Sequence, residues 1–200
     1  MDFRLLNSAF LPQAAELWDY CFEKKGDPFY EWYFSEYCLK QNSVIGGFDG
    51  DKLACMLHLN PYAITLRGQT LRLPYIVGVA TAPEYRGQHL TRPLLEMAFT
   101  VLRAQGAAFA LLMPINPAIY KPYGLITAIT AIVTKCRWQE LKKLPPVHNI
   151  KNNPLVQDFT EGVDKLAVVY EACGQELNGM AVRSREKWQE LLNGYKSRKK

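Results

Sequence analysis

The stretch VGVATAPEYRGQHLTRPLL, residues 77–95, decides how the middle of this chain folds. Its first residues are small or apolar, as in a buried strand, and Leu90, Leu94 and Leu95 begin an apolar run with helical spacing. The turn PEYRGQHLT, which contains one glycine, joins the two. A helix leaves its first N–H groups without intrahelical partners, and its dipole makes that end partly positive. The stretch therefore predicts a strand, a short turn and a helix whose N-terminus suits an anion such as a phosphate.

The residues before this stretch predict two helices and most of a sheet. DFRLLN has the pattern of a short strand, FLPQAAELWDYCF that of an amphipathic helix, and PFYEWYFSEYC that of an aromatic-rich helical segment. From NSVIGGFDG onward the sequence indicates a meander of three or four strands. Asp49-Gly50 and Arg67-Gly68 are the hairpin signals within that meander.

The residues after the turn predict one long helix, two strands and a helical end. LTRPLLEMAFTVLRAQG has an apolar stripe and a glycine, Gly106, where the helix should end. Residues 107–113 predict a buried strand, and LITAITAIVTKCRW, residues 125–138, a last long strand. We expect a mixed α/β (α+β) fold in which helices flank a mostly antiparallel, twisted sheet. The expected boundaries are a domain at 1–138, a linker at 139–154 and a helical extension at 155–200.

Composition restricts the class of protein. The 200 residues are 48% hydrophobic and 12% aromatic, which is enough for a globular core. The sequence contains no run of about 18 apolar residues and no secretory signal pattern, so we expect a cytoplasmic protein without a membrane partner. No CxxC pair occurs, so we expect no metal site and no disulfide framework. Free thiols in a reducing compartment are the expectation for Cys21, Cys38, Cys55, Cys136 and Cys173.

The net charge of +5 is confined to one end of the sequence. Residues 183–200 contain seven basic and two acidic side chains, and the rest of the chain is balanced. We interpret this tail as a solvated helix end. Because no basic face with aromatic platforms occurs elsewhere, we do not expect a nucleic-acid partner, although a nucleic-acid-binding module remains a rival hypothesis. A homo-oligomer is left open.

Two motifs together resemble a known superfamily. VATAPEYRGQHL is similar to the acetyl-coenzyme A (acetyl-CoA) motif of the GCN5-related N-acetyltransferases (GNAT), in which a strand leads to Arg/Gln-x-x-Gly-x-Gly/Ala. IYKPYGL, residues 119–125, resembles their later tyrosine motif. Departures from the motif are His89 and Thr91, which stand where the superfamily has small residues. If position 89 needs a positive φ, histidine tolerates it at a cost of about 1 kcal/mol.

A closer resemblance is to the enhanced-intracellular-survival (Eis) branch of that superfamily. VATAPEYRG, the spacing to IYKPYG and the late segment RSREKWQELL carry it. Members of the branch are about twice this length, with a second acetyltransferase-like region and a sterol-carrier-like domain. The sequence leaves open whether this chain is a natural short form or a shortened form of a longer protein.

The resemblance implies roles for particular residues. Val79, Ala80 and Thr81 would line the pantetheine arm, and the Val79 region would offer an N–H to the thioester oxygen. Ile115 and Asn116 would flank the cofactor. The arm would enter between strands 75–81 and 107–113, which should therefore splay apart. The pyrophosphate would lie on Arg86, Gly87, Gln88, His89, Leu90, Thr91 and Arg92.

The implied activity is acetyl transfer to a primary amine by direct attack, without a metal. Tyr120 would be the general acid, because a phenol at that motif position can protonate the departing thiolate; packing against the helix of residues 90–105 is the alternative. Glu31, Glu36, His58 and a water relay are all open as the base. The acceptor, whether aminoglycoside, polyamine, peptide lysine or another small amine, is also open.

A non-catalytic acyl-CoA sensor or scaffold is the alternative function. The aromatic segment FYEWYF is predicted either to wall the acceptor pocket or to pack in the core.

Overall fold

The sheet of this protein follows the order of its strands along the chain. The computed structural model describes residues 1–127, 162–174 and 177–197. Within them the sheet order is β1-β2-β3-β4-β5, with antiparallel pairing up to β4 and a parallel β4–β5 pair. The predicted mixed, mostly antiparallel sheet is therefore confirmed. The bounds are Asp2–Leu5 for β1, Ser43–Asp49 for β2, Lys52–Leu66 for β3, Gln69–Thr81 for β4 and Leu111–Leu112 for β5.

The predicted helices are also present. The second one continues beyond Trp32 as a single π-helical turn, Tyr33–Tyr37. Its start is set by Asp27, whose side chain accepts the N–H of Phe29 at 2.8 Å and so caps the helix. No helix in the described parts of the chain is long and apolar enough to cross a membrane. The bounds are Leu11–Cys21 for α1, Pro28–Trp32 for α2, Thr91–Ala104 for α3, Gly162–Gly174 for α4 and Arg185–Ser197 for α5.

Two apolar layers cover the two faces of the sheet. Because side chains alternate along a strand, Met56 packs with α1 and α2, whereas its neighbours Cys55 and Leu57 pack with α3. The layer on the α3 side, which we call the α3 layer, includes the predicted stripe. Its buried members on that helix are Leu94, Leu95, Ala98 and Leu102.

Both predicted hairpin turns connect the long strands. Gly50, between β2 and β3, has φ 60°. Arg67 and Gly68, between β3 and β4, have φ 50° and 73°, the combination that a two-residue turn with the twist of a hairpin requires. The meander of β2, β3 and β4 is thereby confirmed.

A β-bulge interrupts β4 where it passes β3. Met56 pairs with Ala80 and His58 with Val77, so Gly78 and Val79 together face Leu57. Gly78 has φ 59°, and a Cβ built on it would lie 2.4 Å from Cζ3 of Trp18. Only glycine meets both requirements, since the buried indole fills the space of a side chain and the backbone is left-handed.

The sheet opens just beyond this bulge. β5 pairs with β4 only at Tyr75–Leu111 and Ile76–Leu112, and the strands then part, which confirms the predicted splay. The prediction of a buried strand at 107–113 is wrong in extent and burial, because Phe109 and Met113 are 63% and 80% exposed. β5 is the outermost strand of the described sheet, and no described element covers those side chains. The last strand predicted at 125–138 falls mostly on 128–161, outside the described residues.

A segment near the C-terminus covers the second half of β3. Beyond Leu59, where the pairing of β3 with β2 stops, Ile64 of β3 forms a short antiparallel bridge with Ala181. The Thr65 N–H donates to the Met180 carbonyl at 2.8 Å, next to this bridge. The two helices predicted after the linker are α4 and α5. The boundaries of domain and extension stay a prediction, and the linker at 139–154 lies outside the described residues.

The bulge generates a stability prediction. Gly78→Ala is expected to lower the free energy of unfolding by about 2–5 kcal/mol, because backbone strain at positive φ adds to overpacking against Trp18. Gly50→Ala is the matched control, since Gly50 also has positive φ but no atom lies within 4 Å of its built Cβ. It should lose about 1 kcal/mol. Urea unfolding of both variants measures the difference, and equal losses would contradict the steric role of Trp18.

Candidate active site

The turn before α3 presents a row of free backbone N–H groups. Among the described residues, no hydrogen-bond acceptor is found for the N–H of any residue from 87 to 91, and the first bonds of the helix come from Arg92 and Leu94. Gly87 and His89 have φ 77° and 56°. Position 89 therefore has the positive φ that the sequence analysis considered, and His89 adopts this left-handed conformation. We call residues 86–91 the phosphate cradle, because free N–H groups at a helix N-terminus attract anions.

Two arginines flank the phosphate cradle, each beside a tyrosine ring. The Nε of Arg86 donates to the Thr81 carbonyl at 3.2 Å, and its guanidinium lies 5.4 Å from the centre of the Tyr20 ring. The Arg92 guanidinium lies 5.4 Å from the centre of the Tyr123 ring. Both arginines are exposed, so positive charge is available on either side of the free N–H groups.

The β2–β3 hairpin contacts residues 83–85, the PEY turn that leads into the phosphate cradle. Lys52 Nζ lies 2.6 Å from an oxygen of Glu84, and the Tyr85 hydroxyl donates to Asp49 at 3.1 Å. The hydrogen bond from Lys52 lowers the pKa of the Glu84 carboxyl below its ordinary value. These exposed contacts tie the PEY turn to the sheet immediately before the free N–H groups.

The outer edge of β4 is open next to the cradle. The Ala82 N–H donates to the Ala54 carbonyl at 2.8 Å, so Ala82 and, two residues earlier, Ala80 direct their backbone groups toward β3. Val79 and Thr81 therefore direct theirs toward the edge that β5 leaves unpaired. Of the three residues predicted to line the cofactor arm, Val79 and Thr81 have suitably directed backbone groups and Ala80 does not.

The tyrosine motif forms two short 3-10 turns after β5. The Asn116 side chain accepts the Ala118 N–H at 2.9 Å and begins the first turn, while Ile115 is fully exposed. Tyr120 is half-buried and packs against the α3 layer, as Val79 does. Burial raises the pKa of the Tyr120 phenol above its ordinary value. The general acid and the oxyanion donor predicted from the sequence thus share one apolar layer.

None of the three candidate side-chain bases is both exposed and without a hydrogen-bond or ionic partner. Glu31 is exposed and accepts the Gly26 N–H at 2.8 Å, and exposed Glu36 lies 3.4 Å from Lys40. His58 is fully buried, and this burial lowers the pKa of its imidazole to about 3. His58 is therefore neutral and does not take up a second ring proton at neutral pH.

A polar network around His58 is the feature that sequence analysis missed. The Tyr33 hydroxyl lies 2.9 Å from Nδ1 of His58, and the Asn42 amide donates to that hydroxyl at 2.9 Å and to Asn60 Oδ1 at 2.8 Å. Nε2 of His58 has no hydrogen-bond partner among the described residues. The sequence does contain a signal for this network, because His58 and Asn60 alternate with apolar residues along β3. This alternation places both side chains on the face of the sheet against which Trp18 packs.

The aromatic segment mainly packs in the core. The Tyr33 ring stacks on Trp18 with centroids 4.8 Å apart and on Tyr37 at 5.3 Å, and all three side chains are buried. Phe29, Trp32 and Phe34 are only partly buried, so a contribution to an acceptor pocket stays a prediction for these three. In the described part of the chain, no group of three or more His, Cys, Asp or Glu side chains could hold a metal ion.

Comparison with known proteins agrees with this arrangement. A family model described as "Acetyltransferase (GNAT) domain" matches residues 2–127. A search of curated proteins finds no match. A probable N-acyltransferase from Enterococcus faecalis V583 is 21% identical with a TM-score of 0.56; the match covers 62% of this chain and 32% of that one. The chain thus spans about a third of the length of that relative.

Two aminoglycoside 6'-N-acetyltransferases also share the fold. AAC(6')-IG from Acinetobacter haemolyticus is 12% identical with a TM-score of 0.55, over 68% of this chain and 99% of that one. AAC(6')-Iy, solved with a bisubstrate CoA analogue, is 12% identical with a TM-score of 0.56, over 68% and 97%. None of these matches links the chain specifically to the enhanced-intracellular-survival branch of the superfamily. Because the family model covers more than half of the residues, the chain belongs to the GNAT acetyltransferase family.

Proposed function

We propose that this protein transfers the acetyl group of acetyl-CoA to a primary amine on a small molecule, by direct attack of the amine on the thioester. The observation that carries the proposal is the position of the open β4 edge, which is followed within one turn by the free N–H groups of the phosphate cradle. The fold of the aminoglycoside acetyltransferases supports a small-molecule acceptor. The resemblance of VATAPEYRG and IYKPYG supports the enhanced-intracellular-survival branch as the finer placement.

The residues present fit acetyl-CoA. Its pyrophosphate is an anion for the cradle N–H groups, and Arg86 and Arg92 supply positive charge beside it. Its pantetheine arm carries amides that can pair with the outward backbone groups of Val79 and Thr81, as a short added strand. Ile115 and Asn116 follow β5 on the other side of the opening and would flank the arm.

The chain's own groups then supply two of the requirements of acyl transfer. The Val79 N–H, directed toward the open edge, would stabilise the negative charge that develops on the thioester oxygen. The Tyr120 phenol would donate its proton to the departing thiolate; its raised pKa keeps it protonated through the neutral range. Since the buried imidazole and the exposed carboxylates do not suit the task, we propose a water relay along backbone carbonyls as the base.

A second candidate function rests on the altered motif. His89 holds a left-handed conformation in which glycine would be unstrained, and Thr91 replaces a second small residue. A chain that binds acyl-CoA as a sensor or scaffold, without turnover, is compatible with a cradle of this kind because backbone N–H groups, rather than side chains, hold the phosphates.

The experiment that separates the two functions has two steps. Acetyl-CoA is first titrated into the protein by calorimetry, and thiol release is then measured with a panel of aminoglycosides, polyamines, lysine peptides and small amines. Binding followed by release with at least one amine, and a matching acetylated product by mass spectrometry, supports the transferase. Binding without release for every amine supports the sensor, and absence of binding contradicts both.

The cradle yields a charge-reversal prediction. Gln88→Glu is expected to raise the Kd for acetyl-CoA about 10-fold, because a negative charge beside the pyrophosphate costs on the order of 1 kcal/mol or more. The same charge should leave the folded state as stable as before, since it lies at the positive end of α3. Gln105→Glu, at the opposite end of α3, is the matched control and should not change the Kd. The same rise in both variants would contradict a cradle at residues 86–91.

The motif tyrosine yields a kinetic prediction. Tyr120→Phe removes only the hydroxyl, so kcat should fall by about 10²–10⁴ while the Kd for acetyl-CoA stays the same. Tyr123→Phe is the control, because Tyr123 packs against the same layer without an assigned chemical role. In the wild type, the alkaline decline of kcat should lie above the ordinary phenol pKa of about 10. Near-normal turnover in Tyr120→Phe would make Tyr120 structural, and parallel loss of binding and rate would make it a binding residue.

A further inference from the structure

The His58 side chain has one nitrogen whose partner the described residues do not supply. The residue is fully buried, and Nε2 is the one buried side-chain nitrogen or oxygen in the described chain without a hydrogen bond. Leaving such a group unpaired is unfavourable, because burial removes its hydrogen bonds to water and nothing replaces them. An unpaired polar atom at this depth therefore indicates a bound partner, most simply a water molecule.

The two edges of the imidazole face different parts of the fold. Nδ1 faces the π-helical turn, where it meets the Tyr33 hydroxyl at 2.9 Å. Cδ2, which is bonded to Nε2, lies 3.1 Å from the position of a Cβ built on Gly78. The unpaired nitrogen is thus next to the β4 bulge and away from the Tyr33–Asn42 network.

The bulge itself places an extra residue outside the regular pairing of β3 and β4. Gly78 and Val79 both face Leu57, so the regular ladder of hydrogen bonds is broken there. A water between Nε2 and the bulge backbone would satisfy both at once, as buried waters do in protein interiors. The bulge sets the direction of the Val79 N–H toward the open edge, so whatever fixes the bulge also fixes that N–H.

We propose that His58 is a positioning residue for acetyl transfer: through a buried water on Nε2 it holds the Gly78–Val79 bulge and so aims the Val79 N–H. This inference rests on the proposed function, which gives Val79 its role as oxyanion donor. The Tyr33 hydroxyl, fixed by Asn42 and Asn60, orients the ring from its other edge.

The surrounding groups keep this arrangement neutral. The Cys38 sulfur lies 3.9 Å from Nδ1, and burial raises the pKa of that thiol to about 12. Burial also raises the pKa of Tyr33 well above its ordinary value. Trp18, whose ring centre is 4.9 Å from that of His58, closes the remaining side. His58 therefore acts by hydrogen bonding, and its substitution should change the rate without changing the shape of the pH profile.

Two substitutions separate the two ring nitrogens. Asparagine places an amide near the Nδ1 position and nothing near Nε2, whereas glutamine extends to the Nε2 position. His58→Asn is expected to lower kcat by about 10²-fold, the cost of misplacing a reacting group by about 1 Å, with an unchanged KM for acetyl-CoA. His58→Gln should recover most of that rate. Urea unfolding confirms that both variants fold.

A second pair of variants tests the ring orientation. Tyr33→Phe removes the hydroxyl that meets Nδ1 and should lower kcat by less than His58→Asn. Tyr30→Phe, the matched control, removes the hydrogen bond from Tyr30 to the Ala15 carbonyl in the same aromatic layer and should leave kcat unchanged. Equal effects of the two would mean that general loosening of the layer, rather than ring orientation, controls the rate.

Direct readouts complete the test. A high-resolution crystal structure should show a water within hydrogen-bond distance of Nε2, and the ¹⁵N shift of the Val79 amide should move in His58→Asn and return in His58→Gln. A direct protein partner on Nε2, or equal loss of kcat in both His58 variants, overturns the proposal. A wild type that releases no thiol with any amine overturns the proposed function and the kinetic role, whereas the Val79 shift still reports whether His58 holds the bulge.

Discussion

The contact between the Trp18 indole and the backbone of Gly78 is the constraint on which the candidate site depends. The indole is locked by its stacking on Tyr33 and leaves no room for a side chain at position 78. The backbone can therefore pass only as a left-handed glycine, which places two residues of β4 opposite one of β3. This bulge changes the course of β4 at the point where its pairing with β5 ends, and the free edge that results is what an acyl-CoA arm requires. An aromatic core contact thus determines where β4 leaves a free edge, which is where we propose that the acyl-CoA arm binds.

The proposed phosphate cradle depends on backbone geometry more than on side-chain identity. The turn from Gly87 to Thr91 exposes consecutive N–H groups at the positive end of a 14-residue helix. Because these donors belong to the main chain, the replacement of a motif glycine by His89 costs strain but removes no donor. The exposed ion pair between Lys52 and Glu84 joins the incoming turn to the sheet, next to the donors that we propose bind the pyrophosphate.

The sequence alone predicted the parts of the fold that follow from periodicity and turn chemistry. The stripe of α3, the two hairpins and the N-terminal helices all express local preferences that the tertiary structure does not oppose. The prediction was wrong for residues 107–113, because an apolar composition indicates a strand but does not reveal what covers it. The bulge at Gly78 and the network at His58 were not predictable from pattern, since both depend on contacts between residues 20 to 60 positions apart. The strand-turn-helix pattern predicted the cradle and motif resemblance predicted a role for Tyr120, whereas the direction of the Ala80 backbone required the pairing register.

The bridge between β3 and the segment around Ala181 has a consequence for the order of folding. The hydrogen bond from Thr65 to Met180 joins residues 115 positions apart in the chain, whereas β3 and β4 meet through a two-residue turn. Local hairpins close in microseconds, and contacts at such long separation form later because more chain entropy must be lost. During synthesis, the β3–β4 hairpin is therefore complete well before the segment that shields it has left the ribosome. In that interval the outer edge of β3 at residues 60–66 offers unpaired backbone groups to any neighbouring chain, and this is the period in which association into non-native sheets is most favoured.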